Sequence, residues 1–112
     1  VIIVAAKKSI KYDKLIRDKI PEIIKAQGKM AIIEEMDDII YKEYLDIKLS
    51  EELNEYIEED SVEELADLVE VVYAILDYKG VSLQEFEKIR TSKAEKRGAF
   101  SKRLLLKEVI TD

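Results

Sequence analysis

An all-α fold is what this sequence predicts, and three observations carry it. Glycine and proline are scarce, with three Gly and one Pro in 112 residues. That scarcity disfavours a turn-rich β fold and favours long helices. Apolar residues recur at steps of three and four through 39–56, and Ser61/Glu64 and Ser82/Glu85 have the spacing of capping boxes. The expected architecture is an antiparallel helical bundle of four to five helices. It forms one domain over residues 1–112, with 1–11 as an N-terminal arm.

The elements follow in order. VIIVAA, residues 1–6, reads as a short strand or as an apolar arm packed on the body or on a partner. It is too short to span a bilayer and has no basic stretch before it, so cytoplasm is the expected location. Asp18-Lys19-Ile20-Pro21 opens the first helix, because Pro is tolerated at the first helical positions. That helix covers 21–27, with Gly28 at its C′ position. MAII, residues 30–33, is extended or a buried connector.

Asp37 or Asp38 caps the second helix, which runs to about Glu59. Ile39 and Ile40 begin its apolar stripe, and Leu45, Leu49, Leu53 and Tyr56 continue it. Asp60-Ser61 breaks it, and the short break makes helices two and three antiparallel neighbours. Helix three runs to Lys79 and stops at Gly80. Val69, Val71, Val72, Ala74, Ile75 and Leu76 make it apolar on nearly every side, which suits a central helix or an oligomer interface. Helix four carries Leu83, Phe86 and Ile89 before a basic run that Gly98 interrupts. A last helix is expected over 101–110, with Leu104, Leu105, Leu106 and Val109.

Composition narrows the chemistry. There is no Cys and no His, so disulfides, thiolate metal sites and imidazole bases are excluded. A metal site in this chain uses carboxylate oxygens, which suits Mg²⁺ or Mn²⁺ rather than zinc. The net charge is −6, and it is unevenly spread. Residues 34–70 hold 16 acids against Lys42 and Lys48, whereas 88–107 hold eight basic residues against Glu95. Such a pattern fits solubility and inter-helix pairing, or an acidic metal cradle flanked by phosphate-binding arms. A stable nucleic-acid partner is not expected without a basic surplus.

Two acid-rich pentads stand out, EELNE at 51–55 and EELAD at 63–67. Glu52 and Glu55 lie one helical turn apart, and so do Glu64 and Asp67. Glu52 sits on or beside the apolar stripe, and Asp67 is followed by an apolar run. Carboxylates in such places are costly unless compensated, and the adjacent sequence offers only Lys48. The helical hairpin brings the two pairs face to face, where a divalent cation would relieve their repulsion. The rival account makes Glu64 simply the N3 residue of a capping box. Lys14, Arg17 and Lys19 before helix one, and Arg90, Lys93, Lys96 and Arg97 on helix four, are either phosphate ligands or solubilising charges. Arg17 and Arg97 are the better phosphate ligands, because a guanidinium clamps phosphate bidentately.

Four blocks carry a family resemblance: YDKLIRDKIPEII at 12–24, YKEYLDIKLSEELNE at 41–55, EELADLVEVVYAI at 63–75 and KAEKRGAF at 93–100. Together they resemble the all-α nucleoside triphosphate pyrophosphohydrolases of the MazG-like superfamily, which includes dimeric dUTPases and phosphoribosyl-ATP pyrophosphohydrolase. The first and last blocks resemble a small phosphoribosyl-ATP pyrophosphohydrolase-like branch. The resemblance implies metal ligation by Glu52, Glu55, Glu64 and Asp67, with Glu51 in support and Lys48 one turn before Glu52. It implies Mg²⁺-dependent hydrolysis of the α–β bond of a nucleotide with release of pyrophosphate, and a homodimer or homotetramer. Glu52 or Glu55 then orients or deprotonates the attacking water, and Tyr12, Tyr44 and Tyr73 are available to a nucleotide base.

Two departures bear on the substrate. Only eight residues, 56–63, separate the motifs, as on the phosphoribosyl-ATP side of the family. Yet the tyrosine-histidine pair that follows ExxD there is replaced by Val71-Val72-Tyr73. That favours a broader nucleotide substrate, canonical or non-canonical, over phosphoribosyl-ATP, which stays as the alternative beside a catalytically silent nucleotide-binding or interaction module.

Overall fold

The structure, a computed structural model, describes residues 8–112. These form four α-helices and no strand: α1 (Ile20–Ala26), α2 (Asp38–Glu59), α3 (Val62–Tyr78) and α4 (Leu83–Arg97). VIIVAA, expected as a strand or arm, lies outside the described residues. The chain divides into two compact units, the first ending at Ile75 and the second running Leu76–Asp112. No helix of the described residues is long and apolar enough to cross a membrane.

In the first unit, local chemistry sets the helix ends. Pro21 occupies the first turn of α1. Its C-terminus closes as a Schellman motif, in which Gly28 N–H donates to Lys25 C=O (3.0 Å) and Lys29 N–H to Ile24 C=O (3.2 Å). Gly28 has φ 77°, a conformation that penalises a Cβ. Residues 30–36 are irregular, and MAII is not a buried connector, because Met30, Ile32 and Ile33 are exposed. Asp37 caps α2, its Oδ1 accepting from Ile40 N–H at 2.9 Å. The helix ends where Asp60 turns into the left-handed region at φ 51°, which Asp tolerates better than most residues.

Helical register decides what α2 buries. From Leu45 to Glu52 the helix turns by about 700°, about 20° short of two full turns. Leu53 lies about 80° beyond that line. Accordingly Leu45 is fully buried, Leu49 and Tyr56 are half-buried, and Leu53 is 45% exposed. The inward stripe expected through Leu53 therefore passes through Glu52 instead, which is only 7% exposed. On α3 the same logic aligns Glu64 and Asp67 with Val71, which is buried. Ligand atoms of Glu52, Glu64 and Asp67 come within 4.8 Å of one another. These residues lie at similar distances before and after Asp60, so α2 and the start of α3 run antiparallel.

Helix α3 is not enclosed as its composition suggests. Val62, Leu65, Val69 and Tyr73 are exposed and follow one another at steps of three and four. They form an apolar ridge that no described part of the first unit covers.

In the second unit, α3 finishes in a second Schellman motif. Gly80 N–H donates to Asp77 C=O (3.0 Å) and Val81 N–H to Leu76 C=O (2.9 Å), with Gly80 at φ 71°. Ser82 caps α4, its hydroxyl accepting from Glu85 N–H and donating to Glu85 Oε1, both at 3.1 Å. Phe86 is half-buried, while Leu83 and Ile89 are exposed. The helix expected over 101–110 does not form, which leaves four helices rather than five. Arg103 adopts φ 56° inside the intended first turn. Leu104, Leu105 and Leu106 all remain exposed, and so short a helix without a packing face is marginal in water.

Candidate metal centre

The candidate site lies within the first unit, built by α2, the first turns of α3 and the segment before α1. Oxygens of Glu51, Glu52 and Glu55 lie within 4.8 Å of one another, and so do those of Glu52, Glu64 and Asp67. Glu52 belongs to both triads and is the most deeply buried acid of the set. Its Oε1 lies 3.3 Å from Lys48 Nζ. Its Oε2 is buried and accepts no hydrogen bond, and Glu64 Oε2 is in the same condition. Buried carboxylate oxygens without a donor are destabilising, and a cation is one way to compensate them.

The cap hypothesis for Glu64 is answered by comparing the two boxes. Ser61 Oγ accepts from Glu64 N–H at 3.4 Å, so Ser61 caps α3 weakly. Glu85 accepts a side-chain bond from its serine, whereas Glu64 Oε2 is buried and unpaired and the Glu64 carboxylate belongs to an acidic triad. Glu58, Glu59 and Glu63 are exposed, as acids with no part in the site should be.

Cations reach the cluster from sequence-distant positions. Arg17 Nη2 lies 2.6 Å from Asp67 Oδ1, a contact spanning 50 residues. Lys14 Nζ lies 3.2 Å from Glu51 Oε1, and Lys48 Nζ 3.3 Å from the same oxygen. Asp67, whose apolar neighbours in sequence made it one of the two acids expected to need compensation, is thus already paired and 40% exposed in its side chain. The acid in greatest need is Glu52. Five carboxylates meet three cations here, which leaves two negative charges, the charge that one divalent ion neutralises.

The titration of these groups follows from that arrangement. Burial, and then the charges of Asp67, Glu55, Glu52 and Glu59, raise Glu64 above its ordinary 4.5. Burial also raises Glu52, against the hydrogen bond from Lys48 and with the repulsion of Glu55 and Asp67. Burial acts on Glu51 too, but the hydrogen bond from Lys14 and the charge of Lys48 outweigh it and hold that group low.

An open groove of about 270 Å³ borders the acids, lined by Lys14, Ile16, Arg17, Ile20, Lys48, Glu52 and Asp67. Ile16 and Ile20 were not singled out by sequence reasoning. Their only signal is an apolar pair set among the charges of 14–19. Tyr12 reaches this side of the site, its ring centroid 5.7 Å from Lys14 Nζ. Tyr44 is half-buried on α2, and Tyr73 is exposed on α3.

Of the expected phosphate ligands, Lys14 and Arg17 join the carboxylates. Lys19 is exposed and forms no ion pair among the described residues. Arg90, Lys93, Lys96 and Arg97 belong to the second unit and are exposed there. Arg90 is held by Glu87, with Nη2 2.8 Å from Oε2 and Nε 3.0 Å from Oε1.

The donor set suits a hard cation. It is all oxygen, partly buried, and contains two orphaned acceptors. In each triad the oxygens lie within 4.8 Å of one another, close enough that the three residues could share one ion. No protein-family model, curated protein or solved structure matches this chain, which leaves these carboxylates, cations and their geometry as the basis for assigning a function.

Proposed function

We propose that this protein is a Mg²⁺-dependent nucleotide pyrophosphohydrolase of the MazG-like kind, cleaving the α–β bond of a nucleotide and releasing pyrophosphate. The observation that carries this reading is Glu52, shared by two carboxylate triads, with a buried and unpartnered Oε2, in a residue that lines a groove together with Lys14, Arg17 and Lys48. Acids that need a divalent cation, beside cations suited to phosphate, are the two halves of a metal-assisted phosphoanhydride hydrolase. Mn²⁺ suits the same oxygen donors.

Glu52, Glu64 and Asp67 would hold the ion, and Glu55 would complete the set from the second triad. A bound Mg²⁺ supplies Lewis acidity that polarises the phosphate and makes water a stronger nucleophile. With no His or Cys in the chain, a carboxylate takes the proton of the attacking water. Glu55 or Glu52 is the carboxylate taken for this role, both belonging to the Glu51–Glu52–Glu55 triad. The water oxygen bonds to phosphorus, the bridging P–O bond breaks, and pyrophosphate departs. Lys14, Arg17 and Lys48 offset the charge that grows on the phosphoryl oxygens. Glu51 keeps Lys14 and Lys48 in place through its two ion pairs.

The exposed ridge Val62–Leu65–Val69–Tyr73 supports assembly into a homodimer or homotetramer in which α3 is covered. No membrane association is part of this reading, and a cytoplasmic location accords with it.

The test is a substrate panel of NTPs, dNTPs and phosphoribosyl-ATP, with and without Mg²⁺, reading pyrophosphate against orthophosphate. Pyrophosphate that depends on Mg²⁺ and disappears in Glu52→Gln and Asp67→Asn supports the enzyme. Full activity in both variants would sink the proposed mechanism. Nucleotide binding without product would make the protein a nucleotide-binding regulator instead.

A further inference from the structure

We propose that Arg17 competes with the metal: its guanidinium holds Asp67 until a divalent cation takes that carboxylate, and then clamps the phosphates of a polyphosphate ligand. This inference rests on the reading of the carboxylates as a metal centre and adds an order of events to it.

Three observations carry the argument. Asp67 is both a member of the Glu52–Glu64–Asp67 triad and the partner of Arg17 at 2.6 Å, so metal and guanidinium need the same group. The Arg17 side chain is 55% exposed, and exposed ion pairs are weakly held. Arg17 also lines the groove beside the acids, so a released guanidinium already faces the space where phosphates would lie. Its backbone stays in place, since Arg17 C=O accepts from Ile20 N–H at 3.1 Å and Ile16 and Ile20 are half-buried.

Lys48 shows the contrast. Its side chain is only 15% exposed and contacts both Glu51 and Glu52, so it stays as a fixed counter-charge. A divalent ion concentrates two charges where the guanidinium spreads one, and it satisfies the orphaned oxygens that Arg17 does not reach. A freed guanidinium matches phosphate oxygens with its planar fork of donors. Metal and polyphosphate therefore favour each other's binding, with Arg17 as the link.

The experiment measures Mn²⁺ binding by electron paramagnetic resonance, without nucleotide, and inorganic pyrophosphate binding by calorimetry at saturating Mn²⁺. Arg17→Gln is expected to bind Mn²⁺ roughly two- to five-fold tighter than wild type, the size of an exposed ion pair removed. The same variant should bind pyrophosphate at least ~10-fold more weakly, as befits a lost charge-assisted hydrogen bond. Lys11→Gln removes an equal charge from an exposed lysine of the same segment and should change Mn²⁺ affinity less. Arg17→Lys should keep near-wild-type Mn²⁺ affinity and still lose pyrophosphate affinity, which separates the effect from misfolding. Unchanged or weaker Mn²⁺ binding by Arg17→Gln, or a gain equal to that of Lys11→Gln, overturns the competition while the metal centre stands. Absence of Mn²⁺ binding by wild type overturns the metal centre and the inference with it.

Discussion

Replacing Glu52 with Gln should stabilise the metal-free protein and remove its response to metal. Glu52 is 7% exposed, its Oε2 is buried without a donor, and carboxylates from both triads surround it. An unmet buried acceptor costs about 1–3 kcal/mol. Glutamine keeps an oxygen for Lys48 and places an amide donor among the acids. Exchanging a charged for a neutral acceptor of Lys48 works against this by about 1 kcal/mol, since Lys48 keeps its pair with Glu51. The net gain is about 1 kcal/mol, or a Tm rise of about 5 °C for a chain of this length. In Mg²⁺ the ranking should invert, because an ion at 100 times its Kd adds about 2.7 kcal/mol to the wild type alone. Circular-dichroism melts near neutral pH, in chelator and in Mg²⁺, measure both effects. If Glu52→Gln melts below wild type in chelator, Glu52 is not an uncompensated charge. If Mg²⁺ lifts the variant as much as the wild type, Glu52 is not a ligand.

Two further outcomes follow from the same structure. Glu52 and Glu64 are raised above 4.5 in the fold, so the stability they contribute is complete below that value and lost as pH rises through their raised values. Chelated protein should therefore gain stability on acidification from neutrality toward about pH 5, before general acid unfolding. Glu51 and Glu87, held low, oppose this only below 4.5. A pH series of melts should show the gain and its reduction in Glu52→Gln; a steady decline in both proteins refutes it. At the start of α2, Asp37→Ala removes the acceptor for Ile40 N–H and should cost about 1 kcal/mol in urea unfolding. An unchanged midpoint would show that the cap contributes nothing.

Much of the helix layout was legible because its causes are local. The Asp37 cap, the Asp60-Ser61 break, the glycines at 28 and 80 and the Ser82/Glu85 box each act within a few residues. The pairing of EELNE with EELAD was legible for the same reason, since a two-residue break leaves the helices little choice but to fold back. The segment 101–110 misled because its apolar spacing presupposes a face to pack on. In the structure Leu104, Leu105 and Leu106 have none. For helix α3, composition left a central helix and an oligomer interface open, and only packing shows that Val62, Leu65, Val69 and Tyr73 are uncovered by the described chain.

The sequence by itself determined that this chain is helical and that any metal it binds must be held by oxygen, because propensity, capping and the absence of His and Cys are properties of the residues alone. It also determined the spacing of Glu52, Glu55, Glu64 and Asp67. Tertiary structure decided which of these acids needs a cation. Two nearly complete helical turns put Glu52 in line with Leu45 and bury it, while the fold carries Arg17 across 50 residues to satisfy Asp67. Burial and long-range pairing depend on where distant parts of the chain meet, and only the folded molecule brings them together.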